Sequence, residues 1–211
     1  PFIISASPGL FAFIKQTADA VRGPDGQPLG AHDSKRHPLI NAMSGGSDHQ
    51  NFAYMLGIPS SSNGFYGAFG AHHTAEDNLD GLQTYDPGLK QAVATAQQTA
   101  LQAMRAAGAT VEPLRIAEVP EQLFKDLPVL FGVTGGKANT TQLITALTAF
   151  ETAATATDNA MIKAEASGDV ATMQKLAVQE QAARGAFFLQ DGLSFNKYLH
   201  TVDRVFVSYP E

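Results

Sequence analysis

Met43-Ser44-Gly45-Gly46-Ser47-Asp48-His49, followed by Gly57-Ile58-Pro59 and then by His72-His73-Thr74-Ala75-Glu76-Asp77-Asn78-Leu79-Asp80, is the stretch from which the rest of the chain is read. It places a Gly/Ser turn, acids and three histidines in one short span, with almost no apolar run between its halves. Such a span reads as a site rather than a core. Gly45-Gly46-Ser47 permits close backbone approach to a ligand, or forms a tight turn and nothing more. Thr74 is placed to cap a helical turn, which would fix the backbone that carries His73. Asp77 and Asp80 fall near the start of that turn, where the helix dipole favours acids. His72 and His73, if the backbone is extended, point to opposite faces and do not share an ion. Asp48 has two open roles: orienting a ligand, or tying the glycine turn to its neighbours. His49 reads as a helix-start residue.

Working outward, residues 1 to 110 alternate strand-like and helix-like segments with glycine-rich connections, the α/β pattern. Pro1 to Ala6 predicts a buried strand. Ser7 as cap and Pro8 as first helical residue predict a helix with Leu10, Phe13, Ile14, Thr17 and Val21 at helical spacing. A core strand so near the start suggests a C-terminal piece of something longer, or one half of a nicked protein. Gly23 to Lys35 is a polar loop. Phe52, Met55 and Leu56 predict a short amphipathic turn closed by Gly57. Ile58 to Ser62 predicts a short strand that Pro59 puts near an edge. Asp86-Pro87 opens a long helix to Gly108 with Leu89, Val93, Ala96, Ala100 and Met104 on one face.

Residues 111 to 211 differ. Pro113, Pro120, Pro128 and Gly135-Gly136 break residues 112 to 138. Two helices follow. Leu143, Leu147, Phe150, Ala154, Thr157 and Met161 mark the inner face of the first, and Met173, Leu176, Ala183 and Phe187 that of the second. Gly168-Asp169 between them, a C-cap glycine and an N-cap acid, predicts an antiparallel hairpin.

Composition narrows the classes. The 211 residues carry 14 basic and 20 acidic side chains, a net charge of -6, with no basic stripe, which argues against a nucleic-acid partner. With no cysteine, a metal must be held by His and carboxylate. No apolar run has the length of a membrane span. The positive n-region and small-residue cleavage site of a secretory leader are not among these residues. Gly132 to Thr141 is not a phosphate loop, because Phe131 stands where the first glycine belongs and Ala138 where the Ser/Thr belongs.

The order S-D-H, F, G-I-P, H-T-x-x-D-N-L-D resembles the end of the catalytic domain of zinc-dependent aminopeptidases and glutamate carboxypeptidases. The resemblance extends to the helix before the S-D segment, to Tyr85-Asp86-Pro87 and the helix after it, and to the hairpin from Asn139 to Phe188. That hairpin is similar to the helical dimerisation domain shared with the transferrin receptor, and Arg184, Ala186-Phe187, Gly192-Leu193 and Phe195 to Lys197 echo its pattern. It implies an α/β fold, the C-terminal part of a zinc aminopeptidase-like α/β/α domain (1–110), followed by an α-helical, bundle-like dimerisation domain (111–211).

By the same resemblance His73 binds one of two zinc ions, Gly46, Ser47 and His72 line the substrate pocket, and Asp48 stands behind a ligand. His72 replaces a tyrosine usual in that family. The other ligands and the general base would lie upstream of this chain, so no catalytic residue is assigned within it. Hydrolysis of small peptides by a zinc-bound hydroxide, a homodimer through the helical domain, and a secreted or periplasmic location are the implied properties. Ser62 and Gly64 stand where members specific for acidic substrates carry arginines, and Lys197-Tyr198 aligns with an aromatic-basic stretch earlier than the family's carboxylate-gripping pair. One alternative is a non-catalytic, transferrin-receptor-like binding relative that kept the fold for dimerisation; another is an isolated helical interaction module with a vestigial α/β lobe.

Overall fold

The structure, a computed structural model, describes residues 1–32, 39–43, 47–67, 71–133, 135–137 and 140–187. The fold is mixed α/β and mostly helical, with a small three-stranded sheet. The chain divides into two compact units interleaved along the sequence. One contains Pro1–Ala6, Phe11–Asn41 and Ser61–Gly108; the other contains Ser7–Leu10, Ala42–Ser60 and Ala109–Glu211.

In the first unit, strand β1 (Phe2–Ala6) buries alternate residues, Phe2, Ile4 and Ala6, as a period-two pattern requires. It lies between β2 (Ile40–Ala42) and β3 (Ser61–Phe65) in the order β2-β1-β3. β3 runs antiparallel to β1 with Phe2 opposite Phe65 and Ala6 opposite Ser61. It starts two residues after Pro59, at an edge of the described sheet, where a residue without an N–H does no harm.

Helix α1 (Phe11–Ala20) begins three residues later than Pro8, and Ser7 does not cap it. Gly9, at φ +102°, turns the chain first. The Ser7 hydroxyl instead accepts the Ser60 N–H at 3.1 Å. Ile14, Thr17 and Ala18 form the buried face of α1.

Helices α2 (Leu79–Tyr85) and α3 (Lys90–Ala107) follow. The Asp86 carboxylate receives the Gln91 and Ala92 N–H groups, at 2.9 and 3.0 Å, and so satisfies two donors at the start of α3. The predicted apolar face of α3 is on the outside: Val93 is 52% exposed and Met104 73%, whereas Gln98 is 0% and Gln102 7%. The reason lies in what α3 packs against. β3 reads Ser-Ser-Asn-Gly-Phe, and Ser61 and Asn63, two residues apart on one face, bond Gln102 (3.3 Å) and Thr99 (3.1 Å). On α1, Thr17 Oγ1 accepts Gln98 Nε2 at 2.8 Å while donating to the Ile14 carbonyl. Hydroxyl and amide neighbours draw the polar face inward.

The second unit is helical: α4 (Glu118–Val133), α5 (Thr140–Ser167) and α6 (Val170–Gly185). α4 lies where the prolines predicted broken chain. Pro120 sits in its first turn, where an N–H has no helical partner to lose. Pro128 is interior, a substitution pattern that costs about 3 kcal/mol. Burial of Val119 and Leu123 with Ile116, Leu147 and Ala154 offsets it. Phe150 and Phe187 pack on the same cluster with ring centroids 5.6 Å apart. The hairpin is as expected. Gly168 takes φ +68°, and Asp169 accepts the Thr172 N–H at 3.1 Å and its hydroxyl at 2.7 Å. No helix among the described residues is long and apolar enough to cross a membrane.

Candidate functional site

The two histidines stand on a turn, not on extended chain. Thr74 closes it twice, its N–H donating to the Ala71 carbonyl at 2.9 Å and its hydroxyl to the same oxygen at 2.7 Å. The Asp77 N–H returns to the Thr74 carbonyl at 3.1 Å. His73 sits in the left-handed region at φ +63°, a conformation uncommon for a residue with a Cβ. What holds it there is Asp77, whose Oδ2 accepts the His73 N–H at 3.2 Å and lies 3.8 Å from His72 Nδ1.

The consequence is geometric. Instead of opposing one another, the imidazoles stack at 3.7 Å between centroids and 27° between planes, and both are exposed. The expectation that neighbouring histidines diverge rested on extended backbone, and φ +63° at His73 removes it. Sequence reasoning also missed Asn78, which caps α2 by accepting the Gly81 N–H at 3.0 Å while donating to the Ala75 carbonyl at 2.9 Å. A Cβ at Gly81 would collide with the Glu76 carbonyl oxygen, so a side chain there would push α2 off the histidine turn. Asp80 lies in the first turn of α2, as its helix-start role requires.

The other half of the motif belongs to the second unit. Ser47 and Asp48 are exposed on a turn whose Gln50 N–H donates to the Ser47 carbonyl at 3.0 Å. Among the described residues Asp48 has no hydrogen-bond partner. A π-helical turn, Asn51–Met55, follows, and Gly57, at φ +66°, ends the excursion. Here the inner residue is Ala53, packed on Met43, while Phe52 and Leu56 are 52% and 65% exposed. Gly46, Gly192-Leu193, Phe195 and Lys197-Tyr198 lie outside the described residues.

A structural or catalytic zinc takes at least three protein ligands. Among the described residues no three His, Asp or Glu side chains converge. These residues therefore do not fit a zinc ion by themselves.

The buried acids were also missed. Asp158 and Glu180, 7% and 3% exposed, occupy stripe positions of the hairpin: Asp158 lies between Ala154 and Met161, Glu180 between Met173 and Phe187. Asp158 accepts the Ile116 and Ala117 N–H groups at 2.9 and 3.1 Å, yet burial raises its carboxyl above the ordinary range. Spacing of three, four or seven from the apolar residues was the available signal. No protein-family model matches the chain, and no curated protein is detectably similar to it.

Proposed function

We propose that the chain is the C-terminal portion of a co-catalytic zinc peptidase of the aminopeptidase or glutamate carboxypeptidase type, acting on small peptides. In this reading residues 1–110 end an α/β/α catalytic domain and residues 111–211 form a helical domain through which two copies associate. A secreted or periplasmic location goes with it. His73 contributes one imidazole to a two-zinc site whose remaining ligands and general base lie in preceding sequence. In this reading Gly46, Ser47 and His72 serve substrate binding, and Asp48 orients a ligand.

The observation that supports this best is the turn 71–78. Its backbone is tied by Thr74, Asp77 and Asn78 so that His73 is held in a strained, defined conformation while its ring stays exposed. Stored strain of that kind at an exposed histidine is more useful to a ligand than to a core. Ser62 and Gly64 offer no cation to an acidic substrate side chain, which favours neutral peptides.

The test is zinc content and peptide hydrolysis of the full-length protein. His73→Ala should lose about half of roughly two bound zincs and lower turnover by more than about 100-fold. His72→Ala should keep its zinc. Retention of both metal and turnover by His73→Ala overturns the reading. A wild-type protein that dimerises but holds no zinc and cleaves nothing would instead be the non-catalytic, transferrin-receptor-like relative.

A further inference from the structure

Helix α6 carries Glu180 and Arg184 one turn apart, and the two meet different demands. Arg184 Nη2 donates to the Gly57 carbonyl at 2.8 Å, 127 residues away in sequence, and Nη1 to Glu112 Oε2 at 3.2 Å. Its side chain is 18% exposed. Gly57 closes the excursion that carries Ser47, Asp48 and the π-helical turn, and the Ile58 N–H folds back onto the Phe52 carbonyl at 2.9 Å. Within the second unit, the guanidinium fastens this excursion by its far end.

Glu180 is buried and its Oε1 finds no hydrogen-bond partner among the described residues. The charged groups that bear on it are Asp158 and Glu165 of α5, Arg115 ahead of α4, and Arg184. Each is engaged elsewhere. Asp158 takes the Ile116 and Ala117 N–H groups. Arg115 bonds Glu165 at 2.7 Å and the Leu114 carbonyl at 2.8 Å. A neutral carboxyl suits this place, whereas a carboxylate needs a cation, and among the described residues a neighbouring guanidinium reaches it only by leaving its present partner.

We propose that Glu180 and Arg184 form a proton-operated latch on the Gly57 turn: Arg184 holds the Gly57 carbonyl while Glu180 is neutral, and swings one turn back along α6 when Glu180 is ionised, releasing the turn. The only transfer is of a proton from the Glu180 carboxyl to solvent, reversed on acidification. Burial first, and then the Asp158 charge, push the Glu180 pKa up to about 7, so the latch works near neutrality. It goes beyond the peptidase reading and does not depend on zinc.

Amide hydrogen exchange of residues 51–60 in the full chain, corrected for intrinsic rate, tests it between pH 5.5 and 8.5, alongside carboxyl-carbon NMR titration of Glu180. Protection of the Ile58 N–H should fall about tenfold with rising pH, the loss of one charge-assisted hydrogen bond, at the Glu180 midpoint. Glu180→Gln should keep high protection throughout, and Arg184→Gln low protection throughout with α-helical content intact. Protection that ignores pH in the wild type, or that falls equally in Glu180→Gln or Arg184→Gln, overturns the latch.

Discussion

On α5, Leu147, Ala154 and Met161 repeat at seven-residue spacing and all are buried; on α3, Val93, Ala100 and Ala107 repeat at the same spacing and all are exposed. The two helices carry comparable stripes and turn them in opposite directions. α5 meets apolar residues of α4 and α6, while α3 meets the hydroxyls and amide of Thr17, Ser61 and Asn63. A helix is oriented by the chemistry of what it packs on, and the period of its own sequence only names two candidate faces. The buried polar groups also differ. Both Asp158 oxygens are bonded, whereas Gln98 Oε1 and Gln102 Nε2 have no partner among the described residues.

That contrast can be broken by mutation. Asp158→Ala strips two buried N–H groups of their acceptor and should destabilise by about 3 kcal/mol in urea unfolding. A loss below about 1 kcal/mol would mean that α5 is held by its apolar stripe alone.

Next in size is pH dependence. Because the Glu180 pKa rises from 4.5 to about 7 on folding, the folded state binds its proton more tightly than the unfolded chain. The stability this contributes is fully present below pH 4.5, declines as pH rises and is lost above about 7, by at most about 3 kcal/mol. Urea midpoints at pH 5 and pH 8 would show the fall, and Glu180→Gln should flatten it. The smallest effect belongs to α3. Val93→Gln with Met104→Gln should change stability by no more than about 0.5 kcal/mol, because both side chains already face water. A larger loss by thermal melting would sharpen the comparison by showing that the outer stripe is covered in solution.

Elements specified by their own residues were legible in the sequence. Alternation identified β1, and Gly168-Asp169 identified the hairpin turn, since cap and strand chemistry are local. α4 was not legible because Pro120 and Pro128 read as breakers; one is harmless in a first turn, and long-range burial outweighs the other. The inversion of α3 depended on β3, whose Ser61 and Asn63 lie 41 and 36 residues before their partners Gln102 and Thr99. At the histidine turn, Thr74 and Asp80 were read correctly in kind. The pairing of the imidazoles was not, because it follows from one dihedral at His73 that Asp77 enforces. Asp158 and Glu180 were passed over because a stripe search counts apolar residues and skips an acid in their midst.

The interleaving of the second unit also sets a clock. Gly9 receives its partners from Arg115 and Glu118, and Gly57 from Arg184. During synthesis the 127 residues between Gly57 and Arg184 take roughly 6 to 25 s to be added. For that interval the turn bearing Ser47 and Asp48 exists without the side chain that fastens it. A nascent chain paused after α5 should therefore be cut by protease near Gly57, and the same bond should become resistant once α6 is out of the ribosome.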